Sequence, residues 1–343
     1  MGLADTLRRG VLLLGSAELK QCLELGQVIE AVSEAYADDY RGESVLPPVV
    51  HLTVDEHEGE IDVKTGYLPR LGVVAVKVAA GFFRNEAEFG LPSGSGTIVL
   101  LDASSGYPLA VLEGDYITQI RTGAAGAIGA RHLARRDSSV AFVLGAGAQG
   151  QIQTMGLAQV LPNLKEIRVY DQLPEKAQAF KETISAQTGL DVIPVASIES
   201  GVRTADVVVT ATPSRAPQIQ REWLKAGTHI NAIGADGPGK QELDPTIFRD
   251  AGKVVPDSWR QASHLGECQH GVAAGYLAAD GSTIHAEIGQ IVAGHRSGRD
   301  HDGELTVFDS TGMGVQDVAA AGLAYRSAIE LGLGQFFRLN DRL

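Results

Sequence analysis

Four charged side chains stand where the surrounding residues are apolar or small. Lys77 sits inside VVAVKVAAGF, Lys64 inside EIDVKTGYL, and Arg121 within ITQIRTGAAGAIGARHLAR. A cation flanked by Val on both sides either snorkels at an edge or faces a polar cleft. Three such cations in an acidic chain suit a clamp for a carboxylate, because guanidinium and ammonium groups bind it through charge-assisted hydrogen bonds. The fourth residue, Asp236, ends NAIGAD and precedes Gly-Pro-Gly-Lys. It reads either as a turn former or as a carboxylate held at a cleft, where it can act as acid or base toward an amine or imine.

A second constellation is FVLGAGAQG, residues 142–150. It follows an apolar strand and opens a helix, the context in which glycines cradle a dinucleotide. Gly145 permits the tight turn, Gly147 lets the backbone approach a pyrophosphate, and Gly150 allows close helix–sheet packing. The helix N-terminus supplies N–H donors for the phosphates. Asp171 ends the next strand, IRVYD, 24 residues after Gly147, close to the ~20 expected of an acid that grips a ribose. The alternative for Asp171 is a solvated turn. As a ribose ligand it repels a 2′-phosphate, so NAD(H) is expected and NADP less so.

Other chemistries find little support. His264 and His270 flank Glu267, but their spacing of six puts them on different helical faces, so no metal is expected. Cys22 and Cys268 have neither disulfide-framework nor metal-ligand spacing and read as reduced thiols. No nucleophile elbow is present. The net charge of -13 opposes nucleic acid or an anionic membrane as partner. With no run of ~18 apolar residues and no secretory leader, the expectation is a soluble cytoplasmic protein.

These groups need two kinds of scaffold. A chain of 343 residues exceeds one ordinary core, so two domains are expected. The first stretch begins with a helical segment, ELKQCLELGQVIEAVSEAYADDY. The strand-like runs VVHLTV, EIDVKTGYL, VVAVKVAAGF and GTIVLLDA follow, reading as a mostly antiparallel sheet. The Gly- and Ala-rich segment around Arg121 suits a helix packed closely on another backbone. From about residue 137 the period changes: Val/Ile-rich strands alternate with helices, the pattern of a parallel sheet covered on both faces. The final helix, TGMGVQDVAAAGLAYRSAIELG, is expected to return to the first domain. The fold class is thus α/β: a Rossmann-type doubly wound sheet over residues 137–309, inserted into an α+β domain of residues 1–136 and 310–343.

The landmarks VKVAAGF, GLPSGSGTIVLLDASSGYPLAVLEG, ITQIRTGAAGAIGARHLAR, VLGAGAQGQ, HINAIGADGPGKQELD and FDSTGMGVQD occur in the order and spacing of a known family. Over nearly its full length the chain resembles the ornithine cyclodeaminase/mu-crystallin family. The resemblance implies a homodimer with a Rossmann domain inserted into a substrate and dimerisation domain. It implies that Lys77 and Arg121 hold the substrate carboxylate and that Asp236 meets the substrate amine and moves its proton. Ala148, Gln149, Asp171, Thr212, Asn231, Lys240 and Ser310, and more loosely Ser93, match cofactor contacts; Thr311 matches a residue that touches substrate. Two departures stand out. Val49 falls where members often carry an arginine, and DVKTG places Lys64 in the pocket, where it replaces that arginine or binds a second carboxylate. The segments VKTG, VKVAAGF and GLPSGSG look most like members associated with ectoine catabolism. The implied activity is NAD-dependent hydride transfer at the α-carbon of an amino or imino acid. The alternatives are an ornithine or lysine cyclodeaminase and a non-catalytic binding protein.

Overall fold

The computed structural model describes residues 9–339. The chain divides into two compact units, one made of residues up to Arg121 with those from Gly314 onward, the other of Thr122–Met313. The first division falls inside the helix Gly114–Leu133.

In the first unit, β1 (Val11–Leu14), β2 (Val50–Val54), β3 (Gly59–Leu68), β4 (Val73–Phe82), β5 (Gly94–Asp102) and β6 (Pro108–Glu113) join the C-terminal strand Gln335–Phe337 in a seven-stranded sheet. From β2 to β6 the pairing is antiparallel, as expected; β1 runs parallel to β6. The single helix expected over residues 18–40 is two, Ser16–Cys22 and Leu25–Tyr40. Leu23 and Leu25 are both buried. On one continuous helix residues two apart point to opposite sides, and the break at Leu23 lets both reach the core.

Strand alternation decides what each face of this sheet carries. Val73, Ala75 and Lys77 of β4 are buried on one face, against which the helix Gly314–Leu331 packs. On the other face Val50, Val63 and Val78 form a cross-strand row, and Val50, Leu52 and Val78 remain 62%, 52% and 40% exposed. A β-branched row of this kind covers itself only by meeting another apolar surface.

The second unit is built on β7 (Val140–Leu144), β8 (Glu166–Tyr170), β9 (Asp191–Pro194), β10 (Val207–Thr210), β11 (Arg215–Ile219), β12 (His229–Ala232), β13 (Gln241–Leu243), β14 (Lys253–Pro256) and β15 (Thr306–Asp309). Seven of these form a wholly parallel sheet in the order β14-β15-β12-β10-β7-β8-β9; β11 and β13 pair separately. Every residue of β10, β12, β14 and β15 is buried; β10 reads as an apolar run, while His229, Asn231, Lys253 and Asp309 are polar groups buried at strand positions. The chain moves outward from β7 to β8 and β9 on one side, then to β10 and β12 on the other. The point between β7 and β10 is therefore the topological switch at which such sheets bind ligands. Among the described residues, no helix is long and apolar enough to cross a membrane.

Glycines set the packing of the helix Gly114–Leu133 on this unit. A Cβ on Gly123 would lie 2.5 Å from Ile152, one on Gly126 1.8 Å from Gln153, and one on Gly129 2.4 Å from the Phe308 ring. The three-residue spacing puts all three on one face, and the closeness allows Asn231 Nδ2 to donate to Gly126 O at 2.8 Å. Gly129→Val should lower unfolding free energy by about 3 kcal/mol or more, overpacking against a ring that has no room to move; urea denaturation of the two proteins measures it.

Candidate active site

The cations singled out from the sequence gather on one acid. Lys77 Nζ donates to Asp317 Oδ1 at 2.9 Å and to Thr118 Oγ1 at 3.2 Å. Arg121 Nε lies 3.2 Å from the same Oδ1, while its Nη1 donates to Gln316 Oε1 at 3.1 Å. Gln316 is fixed in turn by donating to Tyr36 Oη at 2.6 Å. The side chains of Lys77, Arg121 and Asp317 are 3%, 8% and 3% exposed. Each position follows from its element. Lys77 continues the inward row of β4, Thr118 and Arg121 are three apart on one helix face, and Asp317 sits in the first turn of Gly314–Leu331, where the helix dipole favours an anion.

The balance of charges sets the direction of each pKa. Burial lowers Lys77 to about 8, helped by Arg121 and Lys64 and opposed by Asp317. Burial pushes Asp317 upward, but the attraction of Lys77 and Arg121 outweighs it and its pKa lies below the usual value. Arg121 Nε and Asp317 Oδ2 are buried without a hydrogen-bond partner among the described residues. Arg121 Nε is thus held beside Asp317 by charge without a hydrogen bond, so its donor capacity there is not used up by the acid. Lys64 is the direct cross-strand partner of Lys77 and is half-buried.

In the second unit the glycine loop has the form its sequence requires. Gly145 has φ +102°, and a Cβ there would lie 2.6 Å from Ala211 O; one on Gly150 would lie 2.0 Å from Gly145 O. A Cβ on Gly147 would meet nothing within 4 Å, so this is the point where the backbone is open to approach. The helix Ala148–Val160 begins there with no side-chain cap at Gly147. The Gln149 amide oxygen is buried without a hydrogen-bond partner among the described residues. Asp171 accepts from the Ala146 N–H at 2.9 Å and the Leu173 N–H at 3.0 Å, which ties it to the loop. These features fit a dinucleotide: a backbone open to approach at Gly147 where a helix starts, and beside it a carboxylate fixed to the loop.

Other expected residues cluster at the ends of the neighbouring strands. Asp236 is half-exposed in the loop after β12 and pairs with Lys240 Nζ at 2.5 Å. Its loop is held by Arg215 donating to Pro238 O, Gln269 accepting from the Gly239 N–H, and His270 donating to Lys240 O. Ser310 and Thr311 follow β15, and both hydroxyls donate to Asp257, at 3.2 and 3.0 Å. Thr212 donates through its N–H and hydroxyl to Glu242 Oε1, both at 2.7 Å. Asn231 is fully buried, with its amide engaged by Gly126 O and His229 Nε2. Ser93, in the first unit, is half-buried and its carbonyl accepts from the Phe82 N–H.

The sequence reading missed three acids that organise these groups. Asp317 lay inside the quoted GVQD, where a buried-looking Gln-Asp pair opening an apolar helix was the available signal. Asp257 anchors the Ser310–Gly312 segment and also accepts from the Gly312 N–H at 2.7 Å. Glu242 joins Thr212 to the Gly234 N–H, so one carboxylate ties the loops after β10 and β12; burial pushes it up to about 7 against the hydrogen bonds it accepts.

Comparison with known proteins fixes the kinship. The model of the ornithine cyclodeaminase/mu-crystallin family matches residues 11–331. The chain belongs to this family. Among solved structures similar to this chain, an archaeal alanine dehydrogenase dimer with bound NAD is 37% identical, with TM-score 0.89, covering 96% of this chain and 99% of its own. The Δ(1)-pyrroline-2-carboxylate reductase of Thermococcus litoralis, in complex with NADH and L-proline, is 35% identical, with TM-score 0.90 and coverage of 95% and 99%. The iminosuccinate reductase of Paracoccus denitrificans, in complex with NAD+, is 30% identical, with TM-score 0.88 and coverage of 95% and 98%.

The Lys77 cluster makes a pH prediction. Deprotonation near pH 8 removes one cation, so affinity for a carboxylate ligand should fall as pH rises through that value. Asp317→Asn removes the opposing anion and should move the transition down by roughly 1 unit or more; inhibition constants of a small carboxylate measured against pH in both proteins check it.

Proposed function

We propose that the protein is an NAD(H)-dependent oxidoreductase that transfers hydride at the α-carbon of an amino or imino acid. The observation that carries this reading is the presence in one chain of a buried carboxylate clamp, Lys77 with Arg121, and an open glycine cradle beside a fixed Asp171. The kinship with alanine dehydrogenase, pyrroline-2-carboxylate reductase and iminosuccinate reductase supports it.

The chain's own residues divide the work. Lys77 and Arg121 hold the substrate carboxylate, and two bound points fix the orientation of the α-carbon. The nicotinamide, when bound, supplies or accepts the hydride. Asp236 takes the proton from the substrate ammonium during oxidation and returns it to the imine nitrogen during reduction, and the Lys240 ion pair steadies it. Thr311, oriented by Asp257, contacts the substrate. Around the cofactor, N–H groups at Ala148 and Gln149 meet the pyrophosphate and Asp171 meets the ribose hydroxyls, repelling a 2′-phosphate. Thr212, Lys240, Ser310 and Ser93 complete the cofactor's surroundings, while Asn231, buried with its amide engaged by Gly126 and His229, supports them from within the protein.

A cyclodeaminase needs the same first step, but a diamino substrate brings a second cation toward Lys64, which opposes it. A mere binding protein has no use for the clamp and Asp236 together. We further infer a homodimer formed through the apolar face that bears Val50, Leu52 and Val78, and a cytoplasmic location in keeping with two free, buried cysteines. The charge of -13 argues against nucleic acid as a partner.

The test is NADH oxidation by the purified protein offered imines formed from 2-oxo acids and ammonia. Asp236→Asn should lower kcat by about 100-fold or more while the Kd for NADH stays within a few-fold. Equal loss of both would remove Asp236 from proton transfer.

A further inference from the structure

Lys64 is a charge without an answer in its surroundings. It stands directly opposite Lys77 in the β3–β4 ladder, where paired Cβ atoms lie about 4.5–5.5 Å apart and like charges destabilise. Its ammonium makes no hydrogen bond or ion pair among the described residues. The nearby acids are bound elsewhere or make no ion pair with it. Asp317 is already shared by Lys77 and Arg121. Asp62, the next acid on the same face of β3, is bound to His51 at 2.7 Å. Asp115, on the helix Gly114–Leu133, lies within the field of Lys77 but makes no ion pair with Lys77 or Lys64, and burial together with Glu113 raises its pKa against that attraction.

The bland reading is a strand lysine that reaches out to solvent. Its place in the sheet argues otherwise: as the direct cross-strand partner of Lys77 it shares the inward face, and its field acts on both Lys77 and Asp317, so its charge lies with the cluster. Three cations share one ion-paired anion, Asp317, which leaves two positive charges without a paired anion of their own. A monocarboxylate neutralises one of them; a substrate with two carboxylates neutralises both.

We propose that the substrate is a short 2-imino or 2-amino dicarboxylic acid, with one carboxylate on Lys77 and Arg121 and the second on Lys64. The proposal rests on the oxidoreductase reading above and narrows its substrate class. In the reductive direction ammonia condenses with the oxo group of a 2-oxo dicarboxylate and water is lost. Hydride then adds to the imine carbon, taken from NADH, and a proton adds to the nitrogen, giving the amino dicarboxylate and NAD+. The small separation of the two lysines favours a chain of a few carbons between the carboxylates.

The experiment compares oxaloacetate with pyruvate, each with ammonia and NADH, the amino acid formed being identified by chromatography. The unmodified protein should favour the dicarboxylate in kcat/KM on the order of tenfold or more, the discrimination expected of one added charge-assisted contact. Lys64→Gln should reduce that ratio to about one, and Lys64→Arg, which keeps the charge, should preserve the preference. Equal or better use of pyruvate by the unmodified protein would overturn the proposal and leave the oxidoreductase reading standing. So would a Lys64→Gln variant whose two activities fall together. NADH consumption with neither substrate would overturn both.

Discussion

The cation cluster depends on one buried acid. Lys77 and Arg121 are both more than nine-tenths out of solvent, and two such cations close together destabilise each other unless an anion lies between them. Asp317 is that anion, shared through a single oxygen. Its position in turn depends on the helix Gly314–Leu331 packing over the sheet, so the return of the chain's C-terminal helix to the first unit is what makes a buried clamp possible. The result is a group of charges held in place yet incompletely neutralised, which is a binding surface for a small anion rather than a closed ion pair.

The second unit solves a different problem with similar means. Its strand ends and loops are joined by carboxylates that accept backbone N–H groups: Asp171 at the glycine loop, Glu242 between the loops after β10 and β12, Asp257 beneath Ser310 and Thr311. These bonds hold the loops at the strand ends in fixed positions relative to one another. Burial costs these acids, as the elevated pKa of Glu242 and Asp257 records, and the cost is offset by the precision with which several loops are held together.

How much of this was legible in the chain follows from where each signal resides. The parallel sheet and its switch point were readable because β7 and β10 are apolar runs and Gly145, Gly147 and Gly150 each answer a separate steric demand. Lys77 was readable because it broke an apolar alternation at an inward position. Asp317, Glu242 and Asp257 were not, since an acid near a helix start or in a loop looks the same whether it is solvated or buried; only tertiary packing decides. The break at Leu23 and the short β1 were missed for a related reason: four residues carry too little periodicity to separate a strand from a helix end. Asn231 illustrates the limit on roles, because its amide is wholly engaged within the protein, and a motif match does not reveal which atoms remain free.

The central claim is that hydride passes between a nicotinamide and the α-carbon of an amino or imino acid on this chain. It is tested most directly with NADH carrying deuterium at the transferable C4 position, incubated with the protein, a 2-oxo acid and ammonia, and with mass spectrometry of the amino acid formed. The account predicts one deuterium at the α-carbon and an equal amount of NAD+. An amino acid formed without label, or ammonia released from a diamino acid with no net change in NADH, would contradict it.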